Sequence, residues 1–197
     1  MKLPFFKRRE APPDTTTDES FVLQCEDPMF VEQFKTLRAK FEYRADMLGC
    51  KVVAITSAIA GEGKTLSSMN LAANLASTGR KKVLLVDVDL RKSDLARGLR
   101  IHPLPGMVEY LSGSVRLSET LRNSIVPGLY VIPGGMRMSA PGDLIAGERF
   151  RTFLKEVRDS FDVVILDTPP IIPVSDTLGI RDLVDGFILI YRAGFTP

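Results

Sequence analysis

The stretch that decides the fold is KVVAITSAIAGEGKTLSSMNLAANLAST, residues 51–78. It opens with KVVAITS, whose β-branched and apolar residues predict a buried strand. It closes with a segment rich in Ala and Leu, which predicts a helix from Thr65 to Thr78 that Gly79 ends. A turn containing glycine joins the two. The stretch therefore predicts a strand, a tight turn and a helix in direct succession.

The alternation of strand and helix continues towards the C-terminus. Four further apolar runs predict strands: KVLLVDVD, LYVIPGG, FDVVILD and GFILIYR. Apolar side chains spaced three and four residues apart predict one more helix: Phe150, Phe153, Leu154, Val157 and Phe161. Prolines and glycines between Arg91 and Pro127 predict short helices and loops. Repeated units of this kind indicate an α/β fold, a mostly parallel sheet covered by helices on both faces.

Two segments precede this unit. Residues 1–24 have prolines, threonines and mixed charges but no periodic apolar face, which predicts a flexible tail; a weak contact of Phe5 and Phe6 with a membrane surface is the less favoured alternative. Residues 25–197 are predicted to form the folded domain. Asp27 and Pro28 predict the start of a helix. One side of this helix is expected to pack in the core (Phe30, Phe34, Leu37, Phe41) and the adjacent side to face solvent (Glu32, Lys35, Arg38).

The composition narrows the class of protein. The chain has 197 residues, 26 basic against 24 acidic side chains, and a net charge of +2. This length fits one domain, and the near balance of charge argues against nucleic acid as a partner. The absence of a long apolar run or secretory signal favours a cytoplasmic protein. Cys25 and Cys50 are expected to be reduced, and with His102 as the single histidine a zinc site or a Ser–His–Asp triad has few candidates.

The turn AIAGEGKT, residues 58–65, is similar to the phosphate-loop pattern GxxxxGK[ST]. Ala58 stands in the place of the first glycine, while Gly61 and Gly63 supply the backbone freedom that the loop requires. In such loops backbone N–H groups surround the phosphates, the lysine reaches the terminal phosphates and the hydroxyl binds magnesium. The predicted nucleotide-binding residues are Ala60, Gly61, Glu62, Gly63, Lys64, Thr65 and Leu66. A surface turn with a chance Gly–Lys pair is the less favoured interpretation.

Carboxylates follow two of the predicted strands. LLVDVDLR brings Asp87 and Asp89 to the end of one strand, where the alternation of an extended chain places both on one face. Adjacent carboxylates repel each other, so a bound cation or a role in proton transfer would compensate. Alternatively, Asp89 caps the next turn and Arg91 pairs with one of the two acids. VVILDTPP delivers Asp167, a typical partner of magnesium beside a phosphate loop.

Together, AIAGEGKT, LLVDVDLR and VVILDTPP resemble the motifs of the bacterial tyrosine kinases of the phosphate-loop type, the BY-kinases of capsular and exopolysaccharide systems. Three apolar residues followed by DxDxR distinguish this group within the MinD/ParA-like branch of P-loop NTPases. The resemblance implies a protein-tyrosine autokinase that uses ATP and Mg²⁺. It also implies that Asp87 activates the tyrosine hydroxyl or binds magnesium. Thr65 and Asp167 are the other implied magnesium ligands. Asp89 and Lys64 are implied to support the transfer.

The resemblance implies partners as well. Glu32, Lys35 and Arg38 match a spaced pattern of one acid and two basic residues that the family uses for self-association. Family members act with the cytoplasmic end of a membrane polysaccharide co-polymerase adaptor and phosphorylate tyrosines of proteins. Such an adaptor would recruit the chain to the inner face of the plasma membrane.

Two departures from the family pattern keep alternatives open. The family's C-terminal tyrosine cluster is replaced by scattered residues, namely Tyr43, Tyr110, Tyr130 and Tyr191. A segment that would complete the base pocket is missing after Pro197, so the domain is expected to be incomplete at its C-terminus. One alternative is a MinD/ParA-like ATPase switch, although such proteins typically have a lysine early in the loop, where this chain has Ser57, Ala58 and Ile59. The other is a regulatory subunit that binds ATP without acceptor tyrosines of its own.

Overall fold

A six-stranded sheet forms the centre of the computed structural model, which describes residues 27–196. Its strands are β1 Val52–Ser57, β2 Val83–Asp87, β3 Arg122–Asn123, β4 Leu129–Ile132, β5 Val163–Asp167 and β6 Gly186–Ile190. They lie in the order β3-β4-β2-β5-β1-β6. Every neighbouring pair is parallel except β3 and β4, which are antiparallel. The prediction of a mostly parallel sheet is confirmed, whereas the short strand β3 was not predicted. The predicted tail, residues 1–24, and Cys25 lie outside the described residues.

Helices connect the strands and cover the sheet. They are α1 Pro28–Leu48, α2 Lys64–Ala76, α3 Leu95–Leu99, α4 Met107–Leu111, α5 Leu117–Thr120, α6 Gly142–Ala146, α7 Glu148–Ser160 and a 3₁₀ helix Asp176–Leu183. The region after Arg91 forms short helices and loops, as its prolines and glycines predict. No helix among residues 27–196 is long and apolar enough to cross a membrane.

Alternating side chains of the strands build two cores, one on each face of the sheet. Val52 and Ala54 of β1 belong to the core that α4, α6 and α7 cover, where Phe150 and Phe153 are fully buried. Val53 and Ile55 point to the other face and pack with α1, α2 and α3. The central strands β1, β2 and β5 are therefore buried on both sides, which explains why their sequences are apolar up to their last residues.

Helix α1 begins as predicted but packs less deeply than its stripe suggests. The Asp27 carboxylate accepts a hydrogen bond from the Met29 amide at 2.9 Å, and Pro28 occupies the first turn. In the apolar stripe only Phe41 is buried, since Phe30, Phe34 and Leu37 are half-buried. Leu37 still packs against the core, whereas Phe30 and Phe34 contact each other with ring centroids 5.0 Å apart, so the prediction of core packing is wrong for the N-terminal half of the stripe.

The strand order brings the three sequence motifs to adjacent positions. β2, β5 and β1 are consecutive in the sheet, and Asp87 lies directly beside Asp167 in the register of β2 and β5. Their carboxyl ends meet at one edge of the sheet. Parallel α/β sheets place their ligands at this edge.

Candidate active site

The loop between β1 and α2 leaves backbone N–H groups free at the start of a helix. Gly61 and Gly63 have φ angles of 88° and 90°, a conformation that favours glycine. Gly63 is the residue before α2, and no side chain caps the helix there. The first N–H groups of a helix and its positive dipole end attract anions. The loop is therefore open to a phosphate group.

Glu62 fixes the loop from within. Its side chain is buried, with Oε2 accepting a hydrogen bond from the Ile59 amide at 2.8 Å and Oε1 accepting one from the Thr196 hydroxyl. The hydrogen bond from Thr196 and those from backbone amides lower the pKa of Glu62, although burial opposes the shift. The predicted nucleotide contacts Ala60 and Leu66 are both exposed at the rim of this loop. Glu62 thus holds the conformation of the loop by accepting a hydrogen bond from the backbone amide of Ile59.

Lys64 extends into the acidic end of the sheet. Its Nζ lies 3.1 Å from Asp89 Oδ2 and 3.6 Å from Asp167 Oδ1. It also lies 3.3 Å from the Thr65 hydroxyl. Burial alone would lower the pKa of Lys64, but the attraction of Asp167 and Asp89 outweighs it and raises the pKa. The ammonium group is therefore held in its charged form among the acids.

Asp87 has no exposed surface and is surrounded by donors. Oδ2 accepts hydrogen bonds from the Ser93 hydroxyl at 2.7 Å and the Leu95 amide at 3.3 Å, and Oδ1 accepts one from the Asp89 amide at 3.1 Å. Burial and the nearby charge of Asp167 nevertheless raise the pKa of Asp87 well above its ordinary value. A carboxylate held so firmly with a raised pKa is suited to accept a proton or to face a cation.

Asp167 joins the phosphate loop to the acids. Its Oδ1 accepts a hydrogen bond from the Ser68 hydroxyl at 3.1 Å, and the same hydroxyl lies 2.9 Å from the Lys64 carbonyl oxygen. Burial raises the pKa of Asp167, although Lys64, Thr65 and Ser68 oppose the shift. Of the three predicted magnesium ligands, Thr65 therefore hydrogen-bonds with Asp167, and Asp87 lies beside Asp167 in the register of β2 and β5.

The prediction for Asp89 and Arg91 needs a correction. β2 ends at Asp87, so Asp89 lies in the following turn and not in the strand. Asp89 instead caps this turn, with Oδ1 accepting from the Lys92 amide at 3.1 Å. Arg91 pairs with neither acid, because its Nε donates to Asp176 Oδ2 at 2.8 Å. The turn directs Asp89 towards Lys64 and Arg91 away from it.

The donor set fits a cation that takes most of its ligands from phosphate and water. Within residues 27–196 no three Asp, Glu, His or Cys side chains are arranged to bind a metal ion by themselves. Asp87, Asp89 and Asp167 nevertheless face a single ammonium group, which leaves an excess of negative charge at the site. Mg²⁺ commonly binds through one or two carboxylates together with substrate phosphates. The site therefore suits a nucleotide with a divalent cation.

Sequence reasoning missed several residues of this site. Ser68, Ser93, Asp176 and Thr196 all contact residues that it identified. Ser68 had a detectable signal, since it lies one helical turn after Lys64 and hence on the same side of α2. The contacts of Asp176 and Thr196 depend on how distant segments meet, which no local pattern records.

The predicted association residues lie outside this site on α1. Lys35 Nζ contacts Glu32 Oε2 at 3.2 Å, and both side chains are exposed. Arg38 is half-buried and lies between Glu42, at 3.8 Å, and the Asn74 carbonyl oxygen of α2, at 3.4 Å. The polar side of α1 is thus solvated at Glu32 and Lys35, whereas Arg38 packs against α2.

The parallel sheet with its open phosphate loop and clustered acids defines a P-loop NTPase domain. In agreement, residues 50–181 match an AAA domain family. The structure of the cell division ATPase MinD from Pyrococcus furiosus shares this fold, with a TM-score of 0.61 and 24% identity over 71% of this chain and 58% of that one.

Relatives identify the group within this class. The tyrosine-protein kinase CpsD of Streptococcus agalactiae serotype III (strain NEM316) is 35% identical over 83% of this chain and 69% of its own length. The tyrosine-protein kinase YwqD of Bacillus subtilis (strain 168) is 33% identical over 84% of this chain and 69% of its own length. The kinase domain of the Escherichia coli tyrosine kinase ETK superposes with a TM-score of 0.84 and 28% identity, over 94% of this chain and 74% of that one. The chain belongs to the family of bacterial tyrosine-protein kinases.

Proposed function

We propose that the chain transfers phosphate from ATP to protein tyrosines, its own included, and regulates capsular or exopolysaccharide synthesis. The observation that carries the proposal is the convergence of Asp87, Asp89 and Asp167 around Lys64 beside an open phosphate loop. Lys64 forms ion pairs with Asp89 and Asp167, whereas Asp87 is held by Ser93. The homologous kinases CpsD and YwqD support the assignment.

Each residue has a part in this proposal. The loop amides of residues 60–66 and Lys64 hold the phosphates, and Thr65 and Asp167 hold Mg²⁺, which neutralises phosphate charge when it is bound. Asp87 accepts the proton of the tyrosine hydroxyl or faces the cation, and Asp89 positions Lys64. Positioning and neutralisation of charge supply most of the rate.

The proposed partners follow from the relatives and from α1. A Klebsiella pneumoniae relative, 32% identical over 87% of this chain and 24% of its own length, is described as a putative tyrosine-protein kinase in the cps region. The proposed partner is the cytoplasmic end of a membrane polysaccharide co-polymerase, which would hold the chain at the inner face of the plasma membrane. Glu32, Lys35 and Arg38 are proposed to contribute to self-association.

The MinD/ParA-like switch is less well supported. The lysine that such proteins place early in the loop has no counterpart here, since Lys51 lies at the opposite end of β1, where its Nζ donates to the Arg158 carbonyl oxygen at 3.2 Å. Its side chain is therefore directed away from the phosphate loop. The likeness to MinD is a likeness of fold.

The test is to incubate the purified protein with γ-labelled ATP, Mg²⁺ and an acidic Glu–Tyr copolymer, and to identify the labelled amino acid. Phosphotyrosine on the copolymer or on the protein itself is the expected result. Release of phosphate to water alone would contradict the kinase and favour an ATPase switch. Binding of ATP without transfer or hydrolysis would favour the regulatory subunit.

A further inference from the structure

A groove of about 440 Å³ opens between α3, with the residues around it, and the loop that follows β4. One wall is formed by α3 and the residues that follow it, including Arg97 and Leu104, and the other by Gly135, Met136 and Arg137 after β4. Ser93, which donates to Asp87 at 2.7 Å, also lines it. In the sheet β4 lies on one side of β2, and β5 and β1 lie on the other. Asp87 lies at the end of β2 and is connected to the groove through the hydroxyl of Ser93.

Hydrogen bonds made by its backbone amides and carbonyl groups hold the wall after β4 in place. The Met136 amide donates to Glu109 Oε1 at 3.0 Å, and the Met107 amide donates to the Pro133 carbonyl oxygen at 2.8 Å. A Cβ added at Gly134 would lie 2.7 Å from Ser93 Oγ, so this backbone packs directly on the residue that contacts Asp87. A groove with fixed walls binds a ligand at a lower cost in ordering.

The groove combines an apolar surface with positive charge. Leu104 and Met136 are 39% and 63% exposed, although both are large and apolar. Arg137 is exposed and makes no ion pair within residues 27–196, and the Arg97 side chain is 80% exposed at 3.1 Å from Asp94. The groove lining that the structure describes contains no carboxylate. Its charge is complementary to that of an acidic ligand with an apolar or aromatic group.

We propose that this groove binds an acidic segment of a protein substrate that contains the acceptor tyrosine. The tyrosine ring packs against Leu104 and Met136, and carboxylates on either side of it pair with Arg97 and Arg137. Ser93 and Asp87 then lie at the inner end, between the acceptor and the phosphate loop. The inference rests on the proposed function, since it names the class of substrate that the kinase site takes.

Peptide binding tests the groove without any transfer of phosphate. The probe is a fluorescein-labelled peptide with glutamates around one phenylalanine in place of tyrosine, compared with the same peptide carrying glutamine for each glutamate. By fluorescence anisotropy the protein is expected to bind the acidic peptide about tenfold more tightly, the effect of two partly exposed ion pairs. The double substitution Arg97→Ala and Arg137→Ala is expected to abolish this preference.

The matched control is Arg151→Ala, since Arg151 is also an exposed arginine in an ion pair, with Glu148 at 3.6 Å, but lies on α7 outside the groove. It is expected to keep the full preference. Equal binding of both peptides by the unaltered protein would overturn the proposal. So would a preference that survives the double substitution.

Transfer measurements separate this inference from the proposed function. With the tyrosine form of the acidic peptide, the double variant is expected to have a raised KM for peptide and an unchanged affinity for nucleotide. If the groove binds the peptide but no phosphotyrosine forms, the groove stands and the kinase proposal fails. If phosphotyrosine forms with the same KM in the double variant, the kinase stands and the groove is overturned.

Discussion

Lys64 is the residue on which the electrostatics of the site depend most. Its ammonium group lies within 3.6 Å of both Asp89 and Asp167, which are almost fully buried. Removing one partner of a buried ion pair leaves the remaining charge without compensation. Lys64 therefore stabilises this end of the sheet, in addition to its proposed role in binding phosphate.

We expect Lys64→Met to abolish nucleotide binding, because the loop loses the cation that reaches the phosphates. We also expect the free energy of unfolding to fall by about 3 kcal/mol, since two buried carboxylates lose their counter-charge. Titration with a fluorescent nucleotide and denaturant unfolding measure the two effects. Lys92→Met is the control, because Lys92 is exposed and its ion pair with Asp94, at 3.7 Å, lies at the surface. Nucleotide affinity that survives in Lys64→Met would remove the lysine from the proposed site.

Asp87 offers a second test at the scale of one residue. In Asp87→Asn the remaining oxygen can keep the hydrogen bonds from Ser93 and Leu95, whereas the new NH2 group cannot accept the one from the Asp89 amide. We expect ATP binding to persist, because Asp87 lies outside the phosphate loop, and tyrosine phosphorylation to be lost. Asp46→Asn, at an exposed acid on α1, should change neither measurement. Full transfer by Asp87→Asn would show that the assigned role is wrong.

At the scale of elements, Glu109 of α4 anchors the loop after β4. Its two carboxylate oxygens accept from the Gly106 amide at 2.7 Å and the Met136 amide at 3.0 Å. We expect Glu109→Ala to lower the free energy of unfolding by about 2 kcal/mol, near 1 kcal/mol for each hydrogen bond, and to speed hydrogen exchange of the Met136 amide.

A matched control for Glu109 lies in the next helix. Glu119 of α5 accepts from the Arg116 amide at 2.9 Å in the same kind of capping arrangement. Glu119→Ala should destabilise its own helix but leave the exchange of Met136 unchanged. Equal exchange at Met136 in both variants would show that Glu109 does not anchor the loop.

Asp185 joins the starts of β6 and β1 to α7. Its Oδ2 accepts from the Lys51 and Val52 amides at 2.7 and 2.8 Å, and Arg158 Nη1 lies 2.8 Å from the same oxygen. Partial burial would raise the pKa of Asp185, but these hydrogen bonds outweigh it and lower the pKa below its ordinary value of 3.8. The carboxylate therefore stabilises the fold above the ordinary pKa of aspartate, and this stabilisation is lost as the pH falls through the lowered pKa.

We expect Asp185→Asn to lower the melting temperature at pH 7, because the asparagine keeps one acceptor oxygen and loses its charge-assisted bonds. The difference from the unaltered protein should begin to shrink as the pH falls below about 4, where the carboxylate of the unfolded chain takes up a proton, and should vanish once the pH passes the lowered pKa of native Asp185. Thermal unfolding of both proteins between pH 7 and pH 3 measures this difference in melting temperature. A difference that stays constant over this range would contradict the role of the charge.

Sequence patterns predicted the elements better than their contacts. Apart from β3, which was not predicted, the strands and α2 begin within one or two residues of their predicted starts, because apolar runs and turn residues are local signals. The pairing of Arg91 with Asp176 was not predictable, since the two residues meet only after the sheet has assembled. The same holds for Glu62 and Thr196, which a hydrogen bond joins across 134 residues of the chain. In the site, the predicted strand ends identified the acids. They did not identify Ser68 and Ser93, whose hydroxyls donate to Asp167 and Asp87.

At the scale of the whole molecule, the proposed self-association depends on a side of α1 that the fold leaves exposed. The Glu32 and Lys35 side chains are 67% and 51% exposed and contact each other at 3.2 Å. We expect Glu32→Lys to shift the protein towards the monomer in sedimentation velocity. The substitution replaces an acid by a base, so the proposed interface loses a negative charge and gains a positive charge that repels Lys35.

Glu148→Lys on α7 is the matched control for this prediction, since Glu148 is 89% exposed and pairs with Arg151 three residues later. It should leave the sedimentation pattern unchanged. Arg38 is a poorer probe, because its contacts with Glu42 and Asn74 would confound association with stability. An unchanged oligomer in Glu32→Lys would exclude this side of α1 as the interface.

The strand order also bears on how the protein reaches its folded state. β1 carries the phosphate loop, yet both of its neighbours, β5 and β6, come late in the chain, and the Thr56 hydroxyl bonds a carbonyl oxygen 113 residues away. Contacts between such distant segments slow folding, because a large loop must close before they form. During synthesis on the ribosome, β1 therefore has neither of its neighbouring strands until β5 has emerged. The phosphate loop consequently acquires the sheet that supports it only after residues 163–190 have been synthesised.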